Sequence, residues 1–159
     1  LRKAGIALLR QGDRDRSRLL SEFSADPSSV LFATDSFWEG VDVPGRALRG
    51  LIIQRLPFKV PTEPITAARI EAIERRGGSS FGEFVLPLAA LKLKQGFGRL
   101  VRSREDRGAI LILDDRIVRK SYGAYLRESL PPAPLRKGTW TDMVRCLKEF
   151  YPEGGVAGE

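Results

Sequence analysis

Histidine is absent from all 159 residues and cysteine occurs once, at Cys146. Without histidine there is no imidazole base for a nucleophilic triad and no ordinary zinc catalysis. With a single thiol there is no internal disulfide, no four-cysteine zinc site and no iron–sulfur cluster held by this chain alone. Chemistry therefore falls to arginine, lysine, aspartate, glutamate and backbone groups. No run of about 18 apolar residues and no signal-peptide pattern occurs, so the chain reads as soluble and cytoplasmic, with no membrane partner. Internal repeats and low-complexity tracts are missing too. The first residue is Leu1, not Met, and a fragment of a longer protein is expected.

Acid is in deficit. The 27 lysines and arginines outnumber 20 aspartates and glutamates, and the net charge of +7 favours polyanionic partners, nucleic acid or nucleotide phosphates, without choosing between them. A chain of this length that is 42% hydrophobic can bury one real core.

Short apolar runs alternate with stretches of helical spacing, the pattern of a parallel sheet flanked by helices. Gly5 to Leu9 (GIALL), Val30 to Thr34 (VLFAT), Gly50 to Leu56 (GLIIQRL) and Ala109 to Leu113 (AILIL) are the strand candidates, each a continuous run of the buried kind. Between the first two, Leu19, Leu20 and Phe23 share one face of a crossover helix from which Arg14, Arg16 and Arg18 project elsewhere. The proline-rich PFKVPTEP (57–64) reads as loop, and Ile65 to Arg76 as a helix ended by Gly77 and Gly78. A further helical segment runs from Phe81 to Arg102, where Pro87 either kinks the helix or sits at its first turn. After PPAP (131–134), Trp140, Met143, Val144, Leu147 and Phe150 fall in register on an amphipathic helix.

Two stretches carry chemistry. In QGFGRLVRS (95–103), Gln95, Arg99 and Arg102 stand at i, i+4 and i+7 and share a helix face, which Leu88 and Leu91 extend backwards into apolar territory. Gly98 within that helix costs roughly 1 kcal/mol relative to alanine, so a close backbone approach or a helix end is wanted there. The plain reading is a pair of solvated arginines complementing the helix dipole. In ATDSFWEGVDVPG (33–45), Thr34, Asp35 and Ser36 stand just past the carboxyl end of a parallel strand, where open α/β sheets bind ligands and where hydroxyls and backbone N–H groups suit phosphate oxygens. Gly40 permits a turn close to a ligand, and Asp42 suits sugar hydroxyls. The plain reading here is a capped turn, with Phe37 and Trp38 as core filler; Trp38 is read equally as a nucleic-acid stacking platform.

Together the two stretches resemble motif V (ATDSFWEGVD) and motif VI (Gln-x-x-Gly-Arg-x-x-Arg) of superfamily 2 helicases. DSFWEGVDVPG, LPFKVPTEP and the segment from QGFGRLVRSRED to YLRESLPP are similar to the DinG-like branch of the XPD helicase family, over about Gly5 to Pro132. The resemblance implies an α/β, RecA-like second motor lobe lacking its first strand (1–132), followed by a linker, an amphipathic helix and a disordered tail (133–159). In such a motor Arg99 and Arg102 act as arginine fingers on ATP held by a first lobe, with Gln95, Gly98, Gly40 and Asp42 on the nucleotide side and Thr34, Asp35, Ser36 and Trp38 on single-stranded DNA. No GxxxxGK[ST] loop and no acidic magnesium box occurs, so the cradle for ATP and Mg²⁺ is expected on an N-terminal lobe of the same polypeptide, as is any iron–sulfur cluster; this chain alone is expected to be inactive. The alternative is a non-catalytic nucleic-acid-binding module of the same fold, and a nuclease finds little support in the acids around Asp114 to Arg116, which read as a structural pairing.

Overall fold

The structure, a computed structural model, describes residues 5–38, 48–100 and 107–152. Strand β1 (Leu8–Arg10) pairs in parallel with β2 (Val30–Phe32), in the register Leu8 to Val30 and Arg10 to Phe32, and helix α1 (Arg16–Ala25) makes the crossover. Leu19 and Phe23, one helical turn apart on α1, bury against Phe37, with Leu9, Leu20, Leu31 and Leu48 around them. The first strand starts later than its apolar run, because Gly5 takes a φ of +72°, a left-handed conformation that belongs to a turn. The second stops at Phe32, because the next backbone donors leave the ladder.

A second parallel pair joins β3 (Gly50–Ile53) to β4 (Ala109–Ile112), aligned Gly50 to Ala109 and Ile53 to Ile112. Helices α2 (Pro64–Arg75) and α3 (Leu86–Leu100) lie between them in sequence. Pro64 occupies the first turn of α2, where its missing N–H costs nothing. At the other end Gly77 (φ +78°) sends its N–H to the carbonyl of Glu74 (2.9 Å) and Gly78 to that of Ile73 (3.0 Å), the paired bonds that close a helix on a glycine. A π-helical turn (Phe81–Val85) leads into α3, and Pro87 sits in the first turn of α3 as expected.

α3 supplies Ala89, Ala90 and Leu93 to the larger core, where they meet Ile53, Leu56, Ile117 and Leu126. Two short helices, α4 (Arg116–Arg119) and α5 (Gly123–Glu128), complete that core, and the sequence reading did not anticipate them. The expectation of strands buried on both faces fails: Ile52 is 66% exposed and Phe32 52%. Among the described residues only one side of each ladder is covered. The last helix, α6 (Trp140–Phe150), opens on a capping box in which the Thr139 hydroxyl and Asp142 carboxylate serve each other's backbone N–H. It is held at its C-terminus, where the Tyr151 hydroxyl donates to the Arg49 carbonyl and Arg49 lies 5.1 Å over the Tyr151 ring.

Candidate functional site

The ladder β1–β2 brings two polar residues side by side at its carboxyl end. Gln11 follows β1 and Thr34 follows β2; Thr34 donates both its backbone N–H (2.9 Å) and its hydroxyl (3.1 Å) to Gln11 Oε1. This is where the second strand loses its ladder. A single turn of 3₁₀-helix (Asp35–Trp38) follows, pinned by Phe37 in the small core and by Arg16, whose Nη2 donates to the Phe37 carbonyl (3.1 Å) while the guanidinium stands 5.1 Å over the Phe37 ring.

From the other side, Lys92 on α3 ion-pairs with Asp35. Lys92 is 7% exposed, so the turn and the helix meet through a charge withdrawn from water. Helical geometry places Arg99, seven residues on, about 10 Å further along the axis and within roughly 20° of the Lys92 direction. Arg99 is half-buried, whereas Gln95 and Gly98 are exposed. The structure thus brings together Thr34, Asp35 and, through Lys92, the helix that carries Gln95, Gly98 and Arg99.

Other expected site residues fall elsewhere. Arg102, Gly40 and Asp42 lie outside the described residues, and of Ser36 and Trp38 only the backbone of the 3₁₀ turn is described. The apolar stripe assigned to α3 is corrected: Leu91 is 52% exposed and Leu88 only half-buried, while the buried stripe is Ala89, Leu93, Gly96 and Leu100. Both stripes have helical spacing. The second is the one whose Ala89 and Leu93, with Ala90 beside them, pack with Ile53, Leu56, Ile117 and Leu126 in the larger core.

Three residues that sequence reasoning passed over hold this surface: Gln11, Arg16 and Lys92. Lys92 left a signal, since a lysine flanked by Ala89, Ala90 and Leu93 on one helix face needs a reason. Gln11 left none until the ladder showed that it ends β1 where Thr34 ends β2.

At the corresponding end of the other ladder, Asp114 is fixed among Arg116, the Leu56 N–H (2.9 Å) and the Arg116 N–H (3.1 Å). The Arg116 guanidinium, followed by these N–H groups, outweighs burial and holds the Asp114 carboxyl down at about 2. Arg116 also stands 5.4 Å over Phe58, which packs with Phe81 and Tyr122. The expected structural pairing at Asp114 is therefore present, and it fastens the PFKVPTEP loop. Among the described residues no group of three or more acidic, cysteine or histidine side chains could hold a metal ion, and no helix is long and apolar enough to cross a membrane.

Comparison with known proteins places the chain in a family. The model of the helicase C-terminal domain matches residues 1–133. The chain belongs to that family. Its parallel ladders and flanking helices make a RecA-like α/β lobe. It is 47% identical over 143 residues to the ATP-dependent DNA helicase YoaA of Escherichia coli K12, covering 90% of this chain and 22% of the relative. It is 46% identical over 125 residues to the ATP-dependent helicase DinG of Mycobacterium tuberculosis H37Rv (79% and 19%), and 39% identical over 158 residues to the 3'-5' exonuclease DinG of Bacillus subtilis 168 (98% and 16%). The chain thus spans about a fifth of the length of these curated relatives. It is the C-terminal helicase lobe of a DinG-like protein.

Proposed function

We propose that this lobe is the second half of an ATP-driven motor that moves on single-stranded DNA, with the first half on the same polypeptide. The observation that carries the reading is the junction of the Asp35–Trp38 turn with α3 in a helicase C-terminal domain: a loop suited to phosphates and a helix bearing Arg99 are parts of one surface. The name of the Escherichia coli relative, an ATP-dependent DNA helicase, points to ATP and DNA, and that of the Mycobacterium tuberculosis relative, an ATP-dependent helicase, to ATP.

In this reading Arg99 and Arg102 extend from the end of α3 toward ATP bound on the first lobe, where a guanidinium fork stabilises charge developing on the γ-phosphoryl oxygens. Such arginines contribute about 10³ to 10⁵ in rate. Gln95 and Gly98, exposed on the same helix, face the nucleotide, and Gly40 and Asp42 line it from the motif V side. In this reading Mg²⁺ is held with ATP by the first lobe; among the described residues no group of three or more acidic, cysteine or histidine side chains could hold a metal ion. An iron–sulfur cluster does not fit this chain, because four thiolates cannot come from Cys146 alone.

Thr34, Asp35, Ser36 and Trp38 form the strand-contacting edge. Because Thr34 has its N–H and its hydroxyl on Gln11, contact with a DNA phosphate uses the hydroxyl rotor: the N–H keeps Gln11 in place while the hydroxyl swings out to donate to the phosphate. Alternate closing and opening of the two lobes around ATP then ratchets the strand. The test is Arg99→Ala in the full-length protein. ATP hydrolysis must collapse while single-strand affinity survives, and a parallel loss of both overturns the reading.

A further inference from the structure

Lys92 is an expensive residue for its position. It sits in the middle of α3, its side chain 8% exposed, on the face that also buries Ala89, Leu93 and Gly96. An aliphatic side chain there would extend the apolar contact, whereas an ammonium taken out of water must be matched by a partner or it destabilises the fold. Its partner Asp35 comes from 57 residues earlier and lies on the first position of the 3₁₀ turn, with 39% of its side chain still in contact with solvent. Buried ion pairs are weak sources of stability, and their best-attested use is to fix one arrangement of two elements against others.

The neighbourhood shows which arrangement is fixed. On its other side the turn is fastened to the β1–α1 layer by Arg16 at the Phe37 carbonyl, by the Phe37 ring in the small core and by Gln11 at Thr34. Lys92 adds a link to the long helix of the larger core. A displacement of the turn, by a strand seated on it, is therefore delivered to α3 at Lys92, and Arg99 projects from nearly the same side two helical turns further on. A rigid helix carries such a displacement along its length with little loss.

We propose that Lys92 is a positioning residue: its pair with Asp35 sets the register between the strand-contacting turn and the helix that bears Arg99, and so couples DNA engagement to ATP hydrolysis. The proposal rests on the reading of Thr34 and Asp35 as strand contacts and of Arg99 as a phosphate contact. It touches neither ligand itself. A purely structural Lys92 would affect folding; a positioning Lys92 affects the ratio of DNA-stimulated to unstimulated ATPase.

The experiment uses the full-length protein and homopolymeric single-stranded oligonucleotides as the probe. Lys92→Met fills the same volume without the charge. The DNA-stimulated to unstimulated ratio should fall about tenfold, with oligonucleotide affinity held within about threefold, and Lys92→Arg should restore most of the ratio. If Lys92→Met does not accumulate as folded protein, Lys92→Gln, which removes the charge but keeps a polar end for Asp35, should show the same loss. An unchanged ratio in either variant, or equal losses of stimulated and unstimulated rates, overturns the proposal. Arg99→Ala measured alongside separates the two levels: if it leaves hydrolysis intact, the motor reading itself fails; if it abolishes hydrolysis while Lys92→Met keeps full stimulation, only the coupling role of Lys92 falls.

Discussion

Arg116 lays its guanidinium along the carboxylate of Asp114, Nε at 2.9 Å from Oδ1 and Nη2 at 2.6 Å from Oδ2, and the same carboxylate accepts the Leu56 N–H across the ladder. The Asp114 side chain is 7% exposed. Its carboxyl is held at about 2 against an ordinary 3.8, and a depressed carboxyl contributes stability that is complete above the unfolded value and lost as pH falls through the folded one. The difference corresponds to about 2 kcal/mol. Urea denaturation of the chain at a series of pH values should therefore show a loss of that size between pH 3.8 and about 2. Asp114→Asn should lower stability by about 2 kcal/mol near neutrality and flatten the acid limb, because an amide accepts one fork prong poorly and carries no charge to titrate. An unaltered acid limb in the variant would place the titrating group elsewhere.

Two glycines should respond to alanine in opposite directions. Gly77 closes α2 at φ +78°, so Gly77→Ala should cost about 1 kcal/mol through left-handed strain even though no atom lies within 4 Å of a Cβ built there. Gly98 lies inside α3, and again nothing among the described residues approaches its Cβ position. Gly98→Ala should accordingly raise stability by up to about 1 kcal/mol. If the missing side chain serves a ligand or lobe outside this chain, the same substitution must lower ATPase activity in the full-length protein. Thermal midpoints of the chain and steady-state ATPase of the parent check the two halves. A variant both more stable and fully active would leave Gly98 without a functional reason.

The sequence disclosed the fold through its punctuation and its apolar runs. Gly77 and Gly78 ended α2 as read, Pro87 began α3, and all four strands formed within the runs that marked them, apart from Arg10 at the end of β1. What failed were the judgements of which faces are buried. Leu91 and Leu93 have equally good helical spacing, and only the packing of Ala89, Ala90 and Leu93 with residues as distant as Ile53 and Leu126 shows which face goes in. The strands shortened where a side chain captured a backbone donor, Gln11 at Thr34 and Asp114 at Leu56, events that pair residues 23 and 58 positions apart and leave no local trace. Motif spacing singled out Asp35 and Arg99 as candidates. The residues that hold them there, Lys92 and Arg16, carry no motif.

Neither Arg99 nor Arg102 has a nucleotide cradle within its own chain, since no GxxxxGK[ST] stretch occurs in the 159 residues. The chain mixed with ATP and magnesium should release phosphate no faster than buffer, and adding single-stranded DNA should not change this. In the full-length protein, Arg99→Ala and Arg102→Ala should each lower the ATPase rate by about two orders of magnitude or more, with oligonucleotide affinity within a few-fold. Their double variant should lose little beyond the worse single one, because two guanidiniums on one phosphoryl group act as a unit. Turnover by the isolated chain would sink the two-lobe assignment outright.

The strand contact makes the sharpest demand on Thr34. Its hydroxyl and N–H both rest on Gln11 Oε1, so a phosphate must compete with an existing hydrogen bond, and the exchange is nearly neutral in energy until the negative charge of the phosphate is counted. Charge-assisted bonds are roughly twice as strong as neutral ones, which tips the rotor toward DNA. Thr34→Val keeps the shape and the Gln11 bond to the N–H but removes the hydroxyl, and should weaken single-strand binding by about fivefold to tenfold. Gln11→Leu removes the acceptor that fixes the Thr34 backbone and should weaken it similarly. Because the contacts are to backbone phosphates, poly-dT and poly-dA should bind alike, and log affinity should fall with log salt at about −0.7 per phosphate neutralised by a lysine or arginine. Thr34→Val removes a neutral hydroxyl and no charge, so it should lower the affinity and leave that slope unchanged. Fluorescence titrations of parent and variants at several salt concentrations measure both quantities at once. Parental affinity in the two variants would mean that Gln11 and Thr34 only close the end of the β1–β2 ladder, and that the strand is gripped elsewhere.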